Sequence, residues 1–398
     1  MTQHQAALVT NRRATGCPFA PAAELAGIRD DTTALPAVRM SLNGQDAFDA
    51  HVVTRYADVR RVLGDQRFAM GFAFDPDLPR TLGNQPGFLL NYNGAEHARL
   101  RRMLTGAFTV RRIGKLRPRI EEIVTGRLSA MAAATGPVDL MAEFALPVPS
   151  LVICELLGVP YADRDDFQRR TEILLSGSAT LEEHLDTVAG LNDFMAAIVV
   201  ARRADPGDTL LGDLVRDHGH ELSDDELVGI GTLLLIAGHE TTSNMISLGT
   251  LALLRNPDQL AVVRDDDSAT TSAVEELLRH LAIAAPLVRQ ATEDMTVGAT
   301  GVRAGDRVVV SQLAANWDPA FVGDATALDV RRKPQPHLAF GHGVHQCLGQ
   351  QLARMELRIA LPALLRRFPG LRLAVPEEDL EFRVDGPVYA VRSLPVTW

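Results

Sequence analysis

Cysteine is scarce in this chain: Cys17, Cys154 and Cys347 are odd in number and too widely spaced for a disulfide framework. A cysteine kept under those conditions does chemistry or packs. Net basic charge is also lacking. A formal charge of −10 and a pI near 5.6 argue against a nucleic-acid backbone or an anionic membrane as the main partner, so any basic docking patch must be local. Uninterrupted apolar runs such as Leu233 to Ala237 fall far short of the roughly 20 residues that a membrane helix needs. The stretch from Met1 to Pro18 is polar and has no apolar signal core, which points to a cytoplasmic protein that does not insert in membranes. No internal repeat, low-complexity tract or Ser/Gly linker divides the 398 residues, and one domain over 1–398 is the simplest organisation.

With 46% hydrophobic and 23% charged residues, the chain has ample material for a buried core. Helical periodicity runs from about His97 to Arg279. Strand-like patterns are confined mainly to Ala47–Val53 and to the Gly-punctuated stretch from Met295 through Gly301 and Gly305 to Val310. The expectation is a mainly α fold with a small β lobe. Phe72 to Phe88, rich in Gly, Pro, Phe and Asp without periodicity, reads as a long functional loop of the kind that gates a pocket.

Two segments carry chemistry. In the first, Phe340, Gly341, Gly343, His345, Cys347 and Gly349 crowd into ten residues ahead of the helical pattern from Gln350 to Arg358. A thiol at a helix N-terminus meets partial positive charge and unpaired N–H groups that favour the thiolate, and glycines let backbone approach a flat cofactor. A haem-iron ligand needs those conditions. The second segment, Gly229 to Ser243, is apolar but contains Gly238, Glu240, Thr241 and Thr242. A glycine there weakens a helix by about 1 kcal/mol, and hydroxyls can bond carbonyls or water, so the helix is expected to break there. His239-Glu240 invites a zinc-protease alternative, but H-E-x-x-H requires a second histidine where Ser243 stands.

The cysteine segment matches F-x-x-G-x-x-x-C-x-G, with His345 two before Cys347, and so resembles the cytochrome P450 superfamily over nearly the whole chain. The resemblance implies a triangular helical body around a buried haem b, with Cys347 as the iron ligand in a loop bounded by Phe340, Gly341 and Gly349. It aligns Glu240 and Thr241 with the acid and alcohol of the family's A-G-x-E-T motif, which relay protons, and leaves Thr242 structural. Glu276 and Arg279 match the E-x-x-R pair that braces the cysteine loop. The arginine that relatives add from a later meander is not found at its expected place near Ala327, and Trp317 stands where bacterial relatives carry arginine. His97, Arg101, Arg289 (on a turn after Pro286) and His345 align with residues that hold the haem propionates, a role suited to bidentate arginine and imidazole donors.

The pocket implied by the fold is lined by Phe72, Phe88, Ala95, Thr180, Leu233, Ile236, Ala237, Val288 and Tyr389, mostly apolar, for a bulky lipophilic substrate such as a polyketide, macrolide, steroid or a statin such as compactin. The activity implied is insertion of one oxygen atom of O2 into an unactivated C–H bond. Without a Rossmann G-x-G-x-x-G or an iron–sulfur cysteine set, electrons come from a separate ferredoxin and ferredoxin reductase. Docking is expected at a basic patch around Arg102, Arg111, Arg112, Arg354 or Arg358. Two other classes stay open: a thiolate-haem peroxygenase or isomerase that skips dioxygen, and a non-catalytic haem sensor.

Overall fold

Apolar periodicity becomes helix through the middle of the chain, as the sequence implies, and the molecule is 57% helical with a small β-rich part. The computed structural model describes residues 11–30, 34–40, 48–70, 84–160, 164–175 and 179–398, the side chains of 164–166 and 175 excepted. Helix ends follow local chemistry. Thr180 and Glu183 close a capping box on Leu181–Ala204, and Gly158, at φ +75°, ends Pro147–Leu157 in the left-handed region.

Contacts divide the chain into two compact units. One comprises Met1–Gly71, Leu248–Cys347 and Phe382–Val391; the other comprises Phe72–Ser247, Leu348–Glu381 and Arg392–Trp398. The first is built on a five-stranded sheet in the order Ala37–Met40, Phe48–Val53, Arg307–Val310, Leu287–Ala291 and Phe68–Met70. Phe48–Val53 and Arg307–Val310 run parallel, and the other pairs are antiparallel. Val53 and Val310 pack under the sheet with Val59 and Val62 of the helix Tyr56–Gly64, and with Leu338 just ahead of the cysteine loop. Strand structure is thus wider than the two places the alternation marks. Ala37–Met40, Phe68–Met70 and Leu287–Ala291 are three to five residues each, too short for alternation to register, and are recruited by pairing. Met295–Val297 and Thr300–Val302 form a separate hairpin turned at Gly298.

The second unit is helical. Arg117–Ala132 packs against Pro147–Leu157 and Gln350–Arg367, and Leu181–Ala204 packs along Arg164–Leu175 and Leu210–His218. Among the described residues, Leu181–Ala204 is the one helix long and apolar enough to cross a membrane. Val138–Asp139, Pro395–Thr397 and Arg372–Leu373 make a small antiparallel sheet.

Candidate active site

Within the first unit, the cysteine loop is shaped by backbone rather than by side chains. Gly341 and Gly343 take φ of +70° and +76°, and a Cβ on Gly343 would collide with the Leu63 carbonyl. The loop therefore lies directly on the end of Tyr56–Gly64. The Cys347 N–H donates to the Phe340 carbonyl at 2.8 Å, closing the loop across seven residues and leaving the thiol exposed, three positions ahead of Gln350, where the next helix begins. His345 stands partly exposed on the same loop.

The bracing pair lies behind this loop. Glu276 and Arg279 are almost fully buried on one face of Thr270–Leu281 and meet bidentately, Nε and one terminal nitrogen each at 2.8 Å from a carboxylate oxygen. Arg279 also donates to the Asn316 carbonyl at 3.0 Å, and the Asn316 side-chain oxygen accepts from the Leu338 N–H at 2.7 Å. His337 reaches Glu275 at 3.2 Å. The helix therefore holds the chain just before Phe340 at two points. The arginine missed near Ala327 is present further on: Arg332 donates to Glu276 at 3.2 Å and reaches back to the Ala327 carbonyl at 3.3 Å. Its neighbours Arg331 and Lys333 gave the sequence no means to choose among three bases. Trp317 also finds a role. Its indole N–H donates to the His280 carbonyl at 2.8 Å and its ring packs on the His280 imidazole at 4.6 Å, in a pocket that holds His280 neutral, its pKa pushed down to about 3 chiefly by burial.

Arg289 is not on a turn but in the strand Leu287–Ala291, between Met70 and Val308, because Pro286 precedes the sheet pairing instead of reversing the chain. It is 3% exposed, it donates to the Val288 carbonyl at 3.0 Å, and burial lowers its pKa to about 10. Among the described residues, no carboxylate pairs with it. A buried guanidinium in that condition suits an anionic group, and the propionates of haem have that chemistry. Val288 is buried beside it. Tyr389 is buried against Phe382 and under the Arg13 guanidinium.

In the second unit, His97 and Arg101 lie four residues apart on Gly94–Thr105, sharing a face as expected. His97 is buried, with its pKa lowered by burial and by Arg101. The segment just before this helix is fixed on Asp224–Leu254, since a Cβ on Gly87 would strike the Glu226 backbone and one on Gly229 the Pro86 carbonyl. Phe88 is buried there, Ala95 and Thr180 are exposed, and Phe72 lies outside the described residues. Thr180 spends its hydroxyl on the helix cap.

Asp224–Leu254 does not break at Gly238; it runs unbroken for 31 residues. The hydroxyls bond within the ladder. Thr241 donates to the Ala237 carbonyl at 2.9 Å, Ser243 to that of Glu240 at 2.9 Å, and Asn244 to the Glu240 carbonyl at 2.8 Å and its carboxylate at 3.3 Å. Leu233 and Ile236 are buried, yet Ala237 is exposed and Glu240 and Thr241 are partly so. A predominantly buried helix thus offers one open polar turn. On the proposed docking patch, Arg102 and Arg111 are exposed, but Arg112 is engaged in a close ion pair with Asp213.

Comparisons identify this arrangement. The profile of the family "Cytochrome P450" matches residues 178–386. Pentalenic acid synthase of Streptomyces avermitilis is 45% identical over 393 residues, 96% of this chain and 95% of that protein. Among solved structures, CYP105P1 in complex with filipin I matches with a TM-score of 0.90 at 41% identity, over 98% of both chains. The mycinamicin VIII C21 methyl hydroxylase MycCI of Micromonospora griseorubida, bound to mycinamicin VIII, matches at 0.87 and 36%, over 97% of this chain and 98% of that one. The chain belongs to the cytochrome P450 family. It is an oxidoreductase of the monooxygenase type, with haem b as its cofactor.

Proposed function

We propose that this protein hydroxylates a bulky lipophilic natural product: Cys347 would hold the haem iron, Arg289, His97, Arg101 and His345 would hold the propionates, and Glu240 and Thr241 would deliver protons. One observation carries the assignment: Cys347 is exposed in a glycine-shaped loop closed by its own N–H and braced through Asn316 by the buried Glu276–Arg279 pair, which the half-buried Arg332 joins. That is far more construction than a packing thiol needs. When bound, haem supplies dioxygen reduction and C–H oxidation. The protein's share is placement. Arg289 presents a buried positive charge; Leu233, Ile236 and Phe88 in the second unit are buried apolar side chains suited to a lipophilic substrate; Glu240, whose carboxylate accepts from Asn244, and the adjoining Thr241 would relay protons.

The structures of two relatives bound to filipin I and to mycinamicin VIII support a substrate of this class, and a statin such as compactin is the narrower candidate. Electrons would come from a ferredoxin and its reductase, received at Arg102, Arg111, Arg354 and Arg358 without Arg112. The five crossings of the chain between its two units favour one functional domain, and three widely spaced cysteines with no disulfide framework favour the cytoplasm.

The test is optical. The reduced, carbon monoxide-bound protein should show the strongly red-shifted Soret band of a thiolate ligand, and Cys347→Ala should lose it together with turnover. Compactin, filipin I and mycinamicin VIII are then screened for a type I spectral shift and a hydroxylated product. A wild-type spectrum retained in Cys347→Ala would refute the ligand assignment. A shift without NAD(P)H and oxygen consumption would favour a peroxygenase, an isomerase or a sensor.

A further inference from the structure

His239 has no part in the function above, although it adjoins Glu240. It is 1% exposed. Its Nδ1 lies 2.6 Å from the Leu235 carbonyl oxygen, and its ring meets Phe167 of Arg164–Leu175 edge-on at 5.6 Å. Phe167 in turn stacks on Phe194 of Leu181–Ala204. A carbonyl oxygen only accepts, so Nδ1 is the protonated nitrogen. Burial lowers the pKa of the imidazole, so the ring is neutral.

The Leu235 oxygen is also the acceptor that an α-helix assigns to the His239 backbone N–H, just as the Ala237 oxygen, taken by Thr241, is assigned to the Thr241 N–H. Two doubly loaded carbonyls therefore lie in the turn that leads into Gly238, where side-chain back-bonding loosens the ladder. From behind, the same turn is pinned. A Cβ on Gly238 would stand 2.7 Å from Ile153 Cδ1, and Phe167 closes on the imidazole. Glu240 follows about 100° round the helix and is partly exposed.

We propose that His239 is a positioning residue: its Nδ1–H on Leu235 and its packing on Phe167 set the pitch of this turn and with it the direction of the Glu240 carboxyl. The proposal rests on Glu240 as proton donor. It makes proton delivery sensitive to the helices that carry Phe167 and Phe194.

The haem-loaded protein provides the test, without a substrate. Reoxidation of the reduced protein by dioxygen is timed for Glu240→Gln, His239→Leu, the double variant and His239→Asn, each first checked for an unaltered red-shifted carbon monoxide spectrum and melting temperature. Asparagine is the conservative replacement because Asn244 and Asn256 make the same bond, each to a carbonyl four residues back at 2.8 Å. Proton-dependent reoxidation should slow about tenfold in Glu240→Gln and about fivefold in His239→Leu, with the double variant no slower than Glu240→Gln alone and His239→Asn within about twofold of the unaltered protein. Independently of turnover, 15N spectra of the reduced, carbon monoxide-bound protein should show His239 as the neutral Nδ1–H tautomer. Multiplying effects in the double variant, failure of asparagine to restore the rate, or an Nε2–H tautomer would overturn the proposal. An unaltered rate in Glu240→Gln would instead remove the proton-donor assignment and take the proposal with it.

Discussion

Replacing Glu276 by glutamine should be among the most damaging isosteric changes in the first unit. The Glu276 side chain is 2% exposed and accepts four hydrogen bonds: two from Arg279 at 2.8 Å, one from Arg332 at 3.2 Å and one from the Asp329 N–H at 3.2 Å. Glutamine keeps the shape but removes the charge, leaving Arg279, itself 3% exposed, with neutral partners in place of a carboxylate. Breaking a buried pair on one side costs about 3–5 kcal/mol, against a total stability of roughly 5–15 kcal/mol. Arg332 is more open, at 17%, and Arg332→Ala should cost only about 1.5 kcal/mol. Urea unfolding can be followed through Trp317, which lies against His280 at the end of the same helix. Because Arg279 reaches the cysteine loop through Asn316 and Leu338, the red-shifted carbon monoxide band should fade at lower urea than in the unaltered protein. A Glu276→Gln loss below about 1 kcal/mol, or an Arg332→Ala loss as large as that of Glu276→Gln, would refute this account.

Two buried titratable groups give pH predictions of opposite sign. His280, with a folded pKa near 3 against 6.5 ordinarily, refuses a proton that the unfolded chain accepts. Stability is therefore lost as pH falls from 6.5 toward 3, by up to about 1.4 kcal/mol per pH unit, and His280→Phe should flatten that slope in acid titrations followed by fluorescence. Glu356 of Gln350–Arg367 is fully buried and its pKa is raised well above 4.5 by burial, so the folded chain binds the extra proton and stability declines as pH rises above 4.5. Glu356→Gln should remove that decline, read as a urea midpoint that no longer falls between pH 5 and 8.

The fold class was legible because helical period and a single thiol loop are local signals. Cys347 stands out in its own loop, whereas Glu240, Thr241 and the Glu276–Arg279 pair were singled out through the family resemblance, and of these the structure shows Glu276 and Arg279 meeting. Arg332 and Asn316 were not legible, since what assigns them is the meeting of segments 37 to 56 residues apart. Arg289 was placed on a turn because Pro286 is a strong breaker, yet strand pairing on both sides overrode it. Short strands such as Phe68–Met70 carry too few residues for alternation to be seen at all.

Gly238 was read as a break, and the reason it is not one explains the helix Asp224–Leu254 more broadly. Glycine costs about 1 kcal/mol in a helix whether or not the helix bends, so its recurrence at 229, 231 and 238 needs a cause other than flexibility. At each position the space a Cβ would fill is taken by another segment: the Pro86 carbonyl, the Met195 side chain and the Ile153 side chain. These glycines set approach distance. They bring the His97 helix's leading segment, Leu181–Ala204 and Pro147–Leu157 hard against one helix, whose carbonyls from 235 to 244 are meanwhile claimed by side chains. Close packing keeps unbroken a stretch that its own hydrogen bonds would let open, and local costs gathered on one element mark where function outweighs stability.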